Sequence, residues 1–460
     1  MSAEASDMSS WLLMGLPGVA YLSGIAEAGW TAIGLAVGTY VNWLIVSKKI
    51  RRYTSQLHAL TLPDFFSKRY GDDQNILTCV SAVIIIIFFI PYTASGFAAC
   101  AKLFNTLFGV NYMAALFISA AIIVLYCTLG GFLAVSTTDL IQGITMSIAL
   151  IIVICFGIFT AGGFEHVIAN AQALPGYLSM MRSYVPGTDY DTPYSALTIV
   201  STLAWGLGYF GMPHILLRFM AIEDEKKLSL SRRIATVWVV ISMAVAVFIG
   251  IVGYSMSQAS VIPALEGSSS ETIIVQIASV LSKYNILTAL LAGIILAGIL
   301  AATMSTADSQ LLAAASSISQ NLLQDFGKKK IDTKTSVKIA RITVMIISLI
   351  SVLLASNPDS SVFEIVSFAW AGFGAAFGPI VLCALFWKRS NKWGALCGMI
   401  TGGAMIFIWK YGIAGLGGVF AIYELLPAFL LATLVNIIVS LMTAEPSQEI
   451  LAVYDKVNRK

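Results

Sequence analysis

Long apolar stretches alternate with short polar connectors along most of the chain. Stretches of about 17 or more mainly apolar residues, the length a helix needs to cross a bilayer, recur throughout. They lie at about 8–24, 28–47, 75–104, 112–130, 132–161, 193–213, 235–257, 286–322, 340–356, 361–387, 393–411 and 423–443. The pattern predicts an all-α, polytopic membrane protein with about twelve transmembrane helices.

Two connectors are long enough to carry structure of their own. Residues 162–192 contain Pro175, Pro186 and Gly187, which predict an irregular loop. Residues 258–285 contain apolar residues with helical spacing between 273 and 281, which predicts an amphipathic helix on the outer face. That helix could serve as an external lid or as a packed connector.

Composition narrows the class of protein further. Of the 460 residues, 58% are hydrophobic and 11% are charged, and the mean hydropathy is +0.85. Because soluble proteins carry about 25% charged residues, this chain cannot cover itself with charge. A soluble globular protein, a disordered chain and a basic nucleic-acid binder are excluded, and no nucleic-acid partner is expected. We expect the protein to lie in a lipid bilayer.

The basic residues are distributed unevenly between the two sides of the predicted bundle. Of the 27 lysines and arginines, all but Lys102, Arg182, Lys283 and Lys410 lie in or beside the connectors of one side. Those connectors are 48–74, 214–234, 323–341, 388–392 and 444–460. The positive-inside rule places this side, including the C-terminal tail 444–460, in the cytoplasm. The same asymmetry supports the alternation of twelve spans.

Two of the predicted spans contain helix-breaking sequence. The first opens on the polar residues 6–10, and the sixth carries three glycines and a proline over 205–213. Each glycine weakens a helix by about 1 kcal/mol and proline by more. Interrupted helices at matching positions of two halves indicate the binding site of a secondary transporter. The alternative for 205–213 is a glycine-rich face that packs helices together.

These two spans open segments of similar length within one transmembrane domain, 1–460. The first segment covers 8–161 and the second 193–387, each with five spans. Two further helices over 393–443 and the tail 444–460 follow. The sequence thus predicts two repeats and a C-terminal extension.

The eighth span carries candidate ligands for a small cation. Ala302, Ser305, Thr306 and Ser309 have the spacing i, i+3, i+4 and i+7, which places them on one helical face. Two hydroxyls, together with carbonyls freed by a broken neighbouring helix, would supply about five oxygens for a monovalent cation. The alternative is that the hydroxyls bond to carbonyls of their own helix.

Three acidic residues lie in apolar surroundings: Asp7, Asp139 and Asp308. A carboxylate at the centre of a bilayer costs about 2.5–3.5 kcal/mol, so each one is a candidate functional residue. We expect Asp139 and Asp308 to approach one another across the fifth and eighth spans. A cation between them, or a proton on one of them, would then relieve their repulsion.

No nucleotide-binding loop motif is present, which disfavours transport driven by ATP.

Four stretches resemble the sodium:solute symporter family, in particular its proline-transporting branch. They are 6–18 (SDMSSWLLMGLPG), 205–220 (WGLGYFGMPHILLRFM), 304–306 (MST) and 370–379 (WAGFGAAFGP). The resemblance extends over nearly the whole chain. It implies a LeuT-type fold, in which five plus five helices form an inverted repeat with broken helices, and flanking helices complete the bundle.

The resemblance also implies the site residues. Sodium, the coupling ion, would bind the carbonyls of Ala5, Met8 and Ala302 and the hydroxyls of Ser305 and Thr306, while Asp7 orders the unwound segment. The positions that the resemblance links to L-proline are Ser9, Trp11, Tyr92, Trp205, Tyr209 and Pro213. Other members of the family form an additional ion site that would correspond here to Asp139, Asp308 and Ser309.

Two departures from the family pattern bear on these expectations. Ser10 stands where a glycine is common, and Asp308 stands where this branch commonly has a serine. The extra carboxylate leaves the number of coupling ions open.

The leading functional prediction is a sodium-coupled importer of L-proline in the plasma membrane, and not an enzyme. One alternative is a symporter for another small solute, such as pantothenate or a sugar. A second is a non-transporting membrane sensor, and a third is an intramembrane hydrolase. The sequence predicts neither the oligomeric state nor the sodium stoichiometry.

The resemblance begins at Ser2, inside what should be a membrane-embedded helix. We therefore expect the natural protein to have a further transmembrane helix and the first half of the broken helix upstream. The alternative is a short protein whose polar start lies at the membrane interface.

Overall fold

The computed structural model describes residues 2–129, 132–329 and 331–458, with residues 129 and 132–136 described by their backbone alone. Lys330, Arg459 and Lys460, which contribute to the predicted charge asymmetry, lie outside the described residues. The α-helices of the described part are α1 Ser2–Asp7, α2 Leu16–Ser23, α3 Ile25–Val41, α4 Ser47–Leu57, α5 Leu62–Tyr70, α6 Ile76–Phe108, α7 Tyr112–Leu129, α8 Phe132–Thr160, α9 Phe164–Gln172, α10 Ala196–Leu203, α11 Pro213–Ala221, α12 Leu228–Gln258, α13 Ile273–Leu281, α14 Ile286–Ser316, α15 Thr333–Leu354, α16 Val362–Phe386, α17 Lys392–Ile408, α18 Leu425–Met442 and α19 Gln448–Asn458.

Tighter and wider helical turns extend or join several of these helices. The π-helical segments are Trp11–Gly15, Asn42–Val46, Ser317–Phe326 and Trp409–Ile413. The 3-10 segments are Ala204–Phe210, Glu225–Lys227, Gly267–Thr272, Ala414–Leu416 and Gly418–Phe420. Such turns often mark functional positions in long helices.

Each predicted span corresponds to an apolar helix. In the described part of the chain, nine helices are long and apolar enough to cross a membrane. Three shorter apolar helices, Trp11–Ser23, Tyr112–Thr128 and Ala196–Phe210, coincide with the predicted spans 8–24, 112–130 and 193–213. The prediction of an all-α polytopic protein is confirmed.

The prediction of an irregular loop over 162–192 is wrong in part. It contains helix α9 and a two-stranded antiparallel hairpin, in which β1 Arg182–Tyr184 pairs with β2 Asp191–Pro193. The guanidinium of Arg182 donates hydrogen bonds to Asp191 and thereby lowers the pKa of that carboxyl. The strands have three residues each, too short for an alternating pattern to reveal them.

The amphipathic helix predicted within 258–285 is present as α13, preceded by the 3-10 turn Gly267–Thr272. Its apolar side chains, among them Ile273, Ile277 and Leu281, are buried. The helix contacts α6, α8 and α14. It is therefore packed into the bundle.

Both predicted interruptions are present. Helix α1 ends at Asp7, and helical structure resumes in the π-helical segment that begins at Trp11. The sixth span is broken by the 3-10 turn Ala204–Phe210, after which α11 begins at Pro213. The segments on either side of the two breaks lie close together. Helix α1 contacts α11 and α14, and α16 contacts both the π-helical segment Trp11–Gly15 and the 3-10 turn Ala204–Phe210.

Glycine allows the second break to lie directly against α3. A Cβ atom added at Gly206 would overlap the backbone of Gly34 and Gly38, two glycines one turn apart on that helix. The glycine-rich segment therefore serves as a packing face as well as an interruption.

We expect Gly206→Ala to destabilise the protein, because the added methyl meets backbone atoms that cannot move away cheaply. Overpacking of this kind costs about 1–3 kcal/mol. Thermal unfolding of the purified protein in detergent should show a lower midpoint. Gly293→Ala on α14 is the matched control, because its Cβ would meet nothing within 4 Å. An unchanged midpoint for Gly206→Ala would contradict the close approach.

Candidate substrate and ion site

The break after α1 leaves two carbonyl groups without their usual helical donors. In an α-helix, the N–H groups of Ser9 and Leu12 would donate to the carbonyls of Ala5 and Met8. Here the Ser9 N–H donates to the Asp7 carbonyl at 2.9 Å and the Leu12 N–H donates to the Ser9 carbonyl at 3.1 Å. The carbonyls of Ala5 and Met8 are thereby free for other partners.

Helix α14 brings oxygen atoms to this break. The Ser305 hydroxyl donates to the Ala5 carbonyl at 2.8 Å and lies 3.1 Å from the Ala302 carbonyl, while the Thr306 hydroxyl donates to the Ala302 carbonyl at 3.2 Å. All four residues are buried. Bonds within one helix account for the contacts to Ala302, but they do not account for the contact with Ala5, 300 positions away.

This cluster of neutral oxygens fits a small monovalent cation. Hydroxyl groups have acceptor lone pairs and rotate freely, so Ser305 and Thr306 could turn their lone pairs toward an ion. Unwound carbonyls and half-helix ends are the groups that hold coupling ions in transporters of this architecture. The residues predicted as sodium ligands on α1 and α14 are thus brought together at the break.

Asp7 connects the two interrupted helices. Its Oδ2 atom accepts a hydrogen bond of 2.7 Å from the Tyr209 hydroxyl, and its carbonyl accepts one of 3.4 Å from Tyr92. Tyr209 is fully buried, and its ring packs edge-on against Trp370 with ring centroids 5.0 Å apart. The bond therefore joins the end of α1 to the 3-10 turn of the other break.

A narrow cavity of about 10 Å³ lies beside the oxygen cluster. Its walls are mainly aromatic and apolar. They are formed by Asp7, Met8, Trp11, Leu35, Tyr92, Trp205, Met243, Val366 and Trp370. Trp11 and Trp205 face each other with ring centroids 5.6 Å apart, and Phe363 packs against both at 6.1 and 5.3 Å.

The residues predicted to contact a substrate divide into two groups. Trp11, Tyr92 and Trp205 line the cavity, whereas Ser9, Tyr209 and Pro213 are not among its lining residues. The Ser9 hydroxyl accepts from the Trp11 N–H at 3.2 Å, and Pro213 begins α11. The Tyr209 hydroxyl donates to Asp7, as described above.

Four lining residues were missed by the sequence analysis: Leu35, Met243, Val366 and Trp370. The three aliphatic ones have no feature that separates them from other apolar positions in spans. Trp370 lies in the stretch 370–379 that carries the family resemblance, and this was the one available signal. Its indole N–H donates to the Trp205 carbonyl at 2.7 Å.

A buried ion pair fixes the start of α16 beside this cavity. Glu271 accepts hydrogen bonds from the backbone N–H groups of Val362 and Phe363, both at 3.0 Å, and so caps the helix. Lys102 donates to the same carboxylate at 2.8 Å, and both side chains are at most 6% exposed. This pairing holds Phe363 against the two tryptophans.

A second charged cluster contains the residues predicted as an additional ion site. The Nη2 atom of Arg218 donates to Asp139 Oδ2 and to the Ser309 hydroxyl, both at 2.8 Å. The Ser309 hydroxyl in turn lies 3.2 Å from Asp308 Oδ1. Arg218 thus contacts Asp139 directly and is linked to Asp308 through the Ser309 hydroxyl. Arg218 was counted only as a positive charge of one side, and no local pattern indicated its partners.

The interrupted helices, with an oxygen cluster and an aromatic cavity at the break, define a secondary transporter with a LeuT-type fold. A Na+-coupled sialic acid symporter, solved in a substrate-bound outward-open state, has the same fold with a TM-score of 0.76 and 17% identity. The match covers 97% of this chain and 90% of that one.

The chain belongs to the Sodium:solute symporter family, whose model matches residues 1–402. It is 42% identical to the sodium/proline symporter of Haemophilus influenzae, over 100% of this chain and 89% of that protein. It is 40% identical to the osmoregulated proline transporter OpuE of Bacillus subtilis, over 97% of this chain and 87% of that protein. The protein is a multi-pass membrane transporter of this family.

We expect Tyr209→Phe to weaken the response of the protein to sodium, because it removes a hydrogen bond to a buried carboxylate beside the oxygen cluster. Leaving such a group unpaired costs about 1–3 kcal/mol. The measurement is thermal unfolding in detergent over a range of sodium concentrations, with potassium holding the ionic strength constant. The concentration for half-maximal stabilisation should rise roughly tenfold.

Tyr112→Phe is the matched control. Its hydroxyl is also buried and donates to a backbone carbonyl, that of Ala355, at 2.8 Å. If the two variants shift the sodium response equally, the bond to Asp7 has no particular role in ion binding.

Proposed function

We propose that this protein is a sodium-coupled symporter that carries L-proline into the cell across the plasma membrane. The observation that carries the proposal is the shared break after α1, which contributes to both the oxygen cluster and the aromatic cavity. The names of the relatives at about 40% identity, all of them proline transporters, support the choice of solute.

In this proposal, sodium is held by the carbonyls of Ala5, Met8 and Ala302 and the hydroxyls of Ser305 and Thr306. Met8 and Asp7 also line the cavity, so ordering of the turn by the ion shapes the space for the solute. Coupling of this kind is reciprocal, and bound proline strengthens sodium binding by the same factor. Ion and solute then move together.

Proline is a compact ring with one carboxylate and one ammonium group. The aromatic side chains of Trp11, Trp205 and Tyr92 line the cavity, and such rings suit the apolar ring of proline and attract its ammonium group. Backbone N–H groups at the start of a half-helix suit the carboxylate. Ser9 and Pro213 act in this scheme by shaping the two breaks, and Tyr209 acts through Asp7.

The membrane orientation and the repeats are part of the same proposal. The one-sided distribution of lysine and arginine supports a cytoplasmic C-terminus, with the tail 444–460 inside the cell. The repeats comprise 8–161 and 193–387, followed by two additional helices over 393–443. The interrupted helices then open the two repeats.

Uptake of radiolabelled L-proline into proteoliposomes tests the function directly. An inward sodium gradient should drive accumulation, and its collapse should stop it. Uptake that persists unchanged when choline or potassium replaces sodium would contradict sodium coupling. Competition by pantothenate or a sugar, with no competition by unlabelled proline, would identify a different solute.

We expect Thr306→Ala to raise the sodium concentration needed for half-maximal proline uptake, because it removes one of about five ion ligands while favouring the helix. The measurement is uptake at matched protein levels over a sodium series. A rise of roughly tenfold corresponds to about 1.4 kcal/mol of lost binding free energy.

Thr303→Ala serves as the control for this substitution. Thr303 is on the same helix and equally buried, but its hydroxyl bonds to the Ile299 carbonyl, away from the cluster. If Thr306→Ala leaves the sodium dependence unchanged, or if Thr303→Ala alters it as much, Thr306 is not a sodium ligand.

A further inference from the structure

An apolar groove of about 530 Å³ runs between α8 and α12 on the outside of the bundle. Ile151, Val237 and Ile241 line it and are between 57% and 60% exposed. Both helices are long and apolar enough to cross a membrane. The groove therefore opens toward the lipid of the bilayer.

The length of the groove matches one leaflet of a membrane. Its lining residues on α12 run from Arg233 to Val245, which is about 18 Å of helix. The hydrocarbon core of a bilayer is about 30 Å thick, so each leaflet contributes about 15 Å. An acyl chain of one leaflet can therefore lie along the whole groove.

Two polar side chains in the wall of the groove satisfy one another. The Trp238 indole N–H donates to the Ser147 hydroxyl at 2.9 Å, and that hydroxyl donates to the Gly143 carbonyl at 2.8 Å. These bonds join α12 to α8 beneath the exposed side chains. The surface offered to a ligand is thus mainly apolar, and its burial against a hydrocarbon chain is favourable.

Arg233 lies at the end of the groove nearest the start of α12. In the described part of the chain it is the one charged residue that lines the groove. It is exposed, and it has no hydrogen bond or ion pair to another described residue. A single positive charge therefore stands at one end of an apolar groove.

The charged residues nearest to Arg233 in the chain have other partners. The acidic residues 223–225 line a separate cavity beside α4, where Glu225 pairs with Arg52 at 2.7 Å. Arg232 lies over the ring of Tyr40 on α3, with 5.6 Å between its guanidinium carbon and the ring centroid. The charge of Arg233 is left for a ligand.

We propose that this groove binds a phospholipid with an anionic headgroup. An acyl chain lies along Val237 and Ile241, and the phosphate accepts hydrogen bonds from the guanidinium of Arg233. Basic pockets between membrane helices on the cytoplasmic side commonly bind anionic headgroups. The proposal rests on the proposed function only in placing the start of α12 at the cytoplasmic leaflet.

The lipid would lie against a helix that also forms the solute cavity. Met243, ten positions after Arg233 on α12, lines that cavity. A lipid held between α8 and α12 stabilises the contact between the two helices. Membrane composition would thereby act on the conformation of a helix beside the solute.

Trp238 lines the groove and can report the lipid directly. Bromine atoms on an acyl chain quench the fluorescence of a tryptophan that they contact. The purified protein is reconstituted into phosphatidylcholine vesicles that contain increasing fractions of phosphatidylglycerol brominated on its acyl chains. The quenching that is absent in Trp238→Phe is the signal from the groove. Half-maximal quenching should need an about fivefold lower fraction of brominated phosphatidylglycerol than of brominated phosphatidylcholine.

Arg233→Gln should remove this preference, so that both lipids quench at the same fraction. Because Arg233 is exposed and without an ion pair among the described residues, the variant should fold. Arg233→Lys keeps the positive charge and should keep most of the preference. Lys227→Gln is the matched control, since Lys227 is an exposed cation at the start of α12 that does not line the groove. It should leave the preference nearly unchanged.

Three results would overturn the proposal. Equal quenching of the wild-type protein by the two brominated lipids would show that the groove does not select an anionic headgroup. An equal loss of preference in Lys227→Gln and Arg233→Gln would show attraction to the membrane surface alone. Glycerol phosphate has the charged group without the acyl chains, so loss of quenching at a matched concentration would show a site for soluble phosphate.

The measurement uses neither a sodium gradient nor proline, so it separates this proposal from the proposed function. A protein that selects phosphatidylglycerol but does not transport proline contradicts the proposed function alone. A protein that transports proline but shows no lipid preference contradicts the lipid site alone.

Discussion

The structure depends on one constraint, that a bilayer offers no water to backbone groups, so a broken helix must find its hydrogen-bond partners within the protein. The break after α1 satisfies this constraint through distant residues. Ser305 donates to the freed carbonyl of Ala5, and Tyr209 donates to the Asp7 side chain. These two bonds assemble the oxygen cluster and join the two interrupted helices, so the means of stabilising the break is also the means of forming the site.

Buried charged side chains also find their partners within the protein, and they do so at two places in the bundle. Lys102 and Glu271 satisfy one another and the first N–H groups of α16, which sets the position of Phe363 and, further along that helix, of Trp370. Arg218 and Asp139 satisfy one another between α11 and α8. A buried ion pair contributes little net stability unless its remaining hydrogen bonds are made, and both pairs have additional partners. The two ion pairs fix which helices meet. They thereby define the aromatic cavity and the charged cluster of Arg218, Asp139 and Asp308.

The arrangement also explains why the site contains so few strong charges at the cavity itself. In the proposed function, the carbonyls and hydroxyls of the oxygen cluster would bind a monovalent cation weakly enough to release it. The aromatic side chains of the cavity would hold a small zwitterion without a fixed ion pair. Asp7, the acid nearest to both, is held by Tyr209 rather than by a basic residue. Binding and release by the same groups is the requirement that a transporter places on its site.

The sequence alone determined the features that arise from local chemistry. Apolar length set the twelve spans. Polar residues over 6–10 set the first break, and glycine and proline over 205–213 set the second. The spacing of Ala302, Ser305 and Thr306 set one face of α14. It could not determine contacts between residues far apart in the chain, because no local pattern encodes them. Tyr209 was predicted to contact the solute, and the structure adds a hydrogen bond from its hydroxyl to Asp7, 202 positions away. Arg218 was expected only as a marker of one membrane side and instead pairs with Asp139, 79 positions away. The short hairpin and the aliphatic cavity walls were likewise decided by tertiary packing, since a buried side chain acquires its neighbours only when the helices assemble.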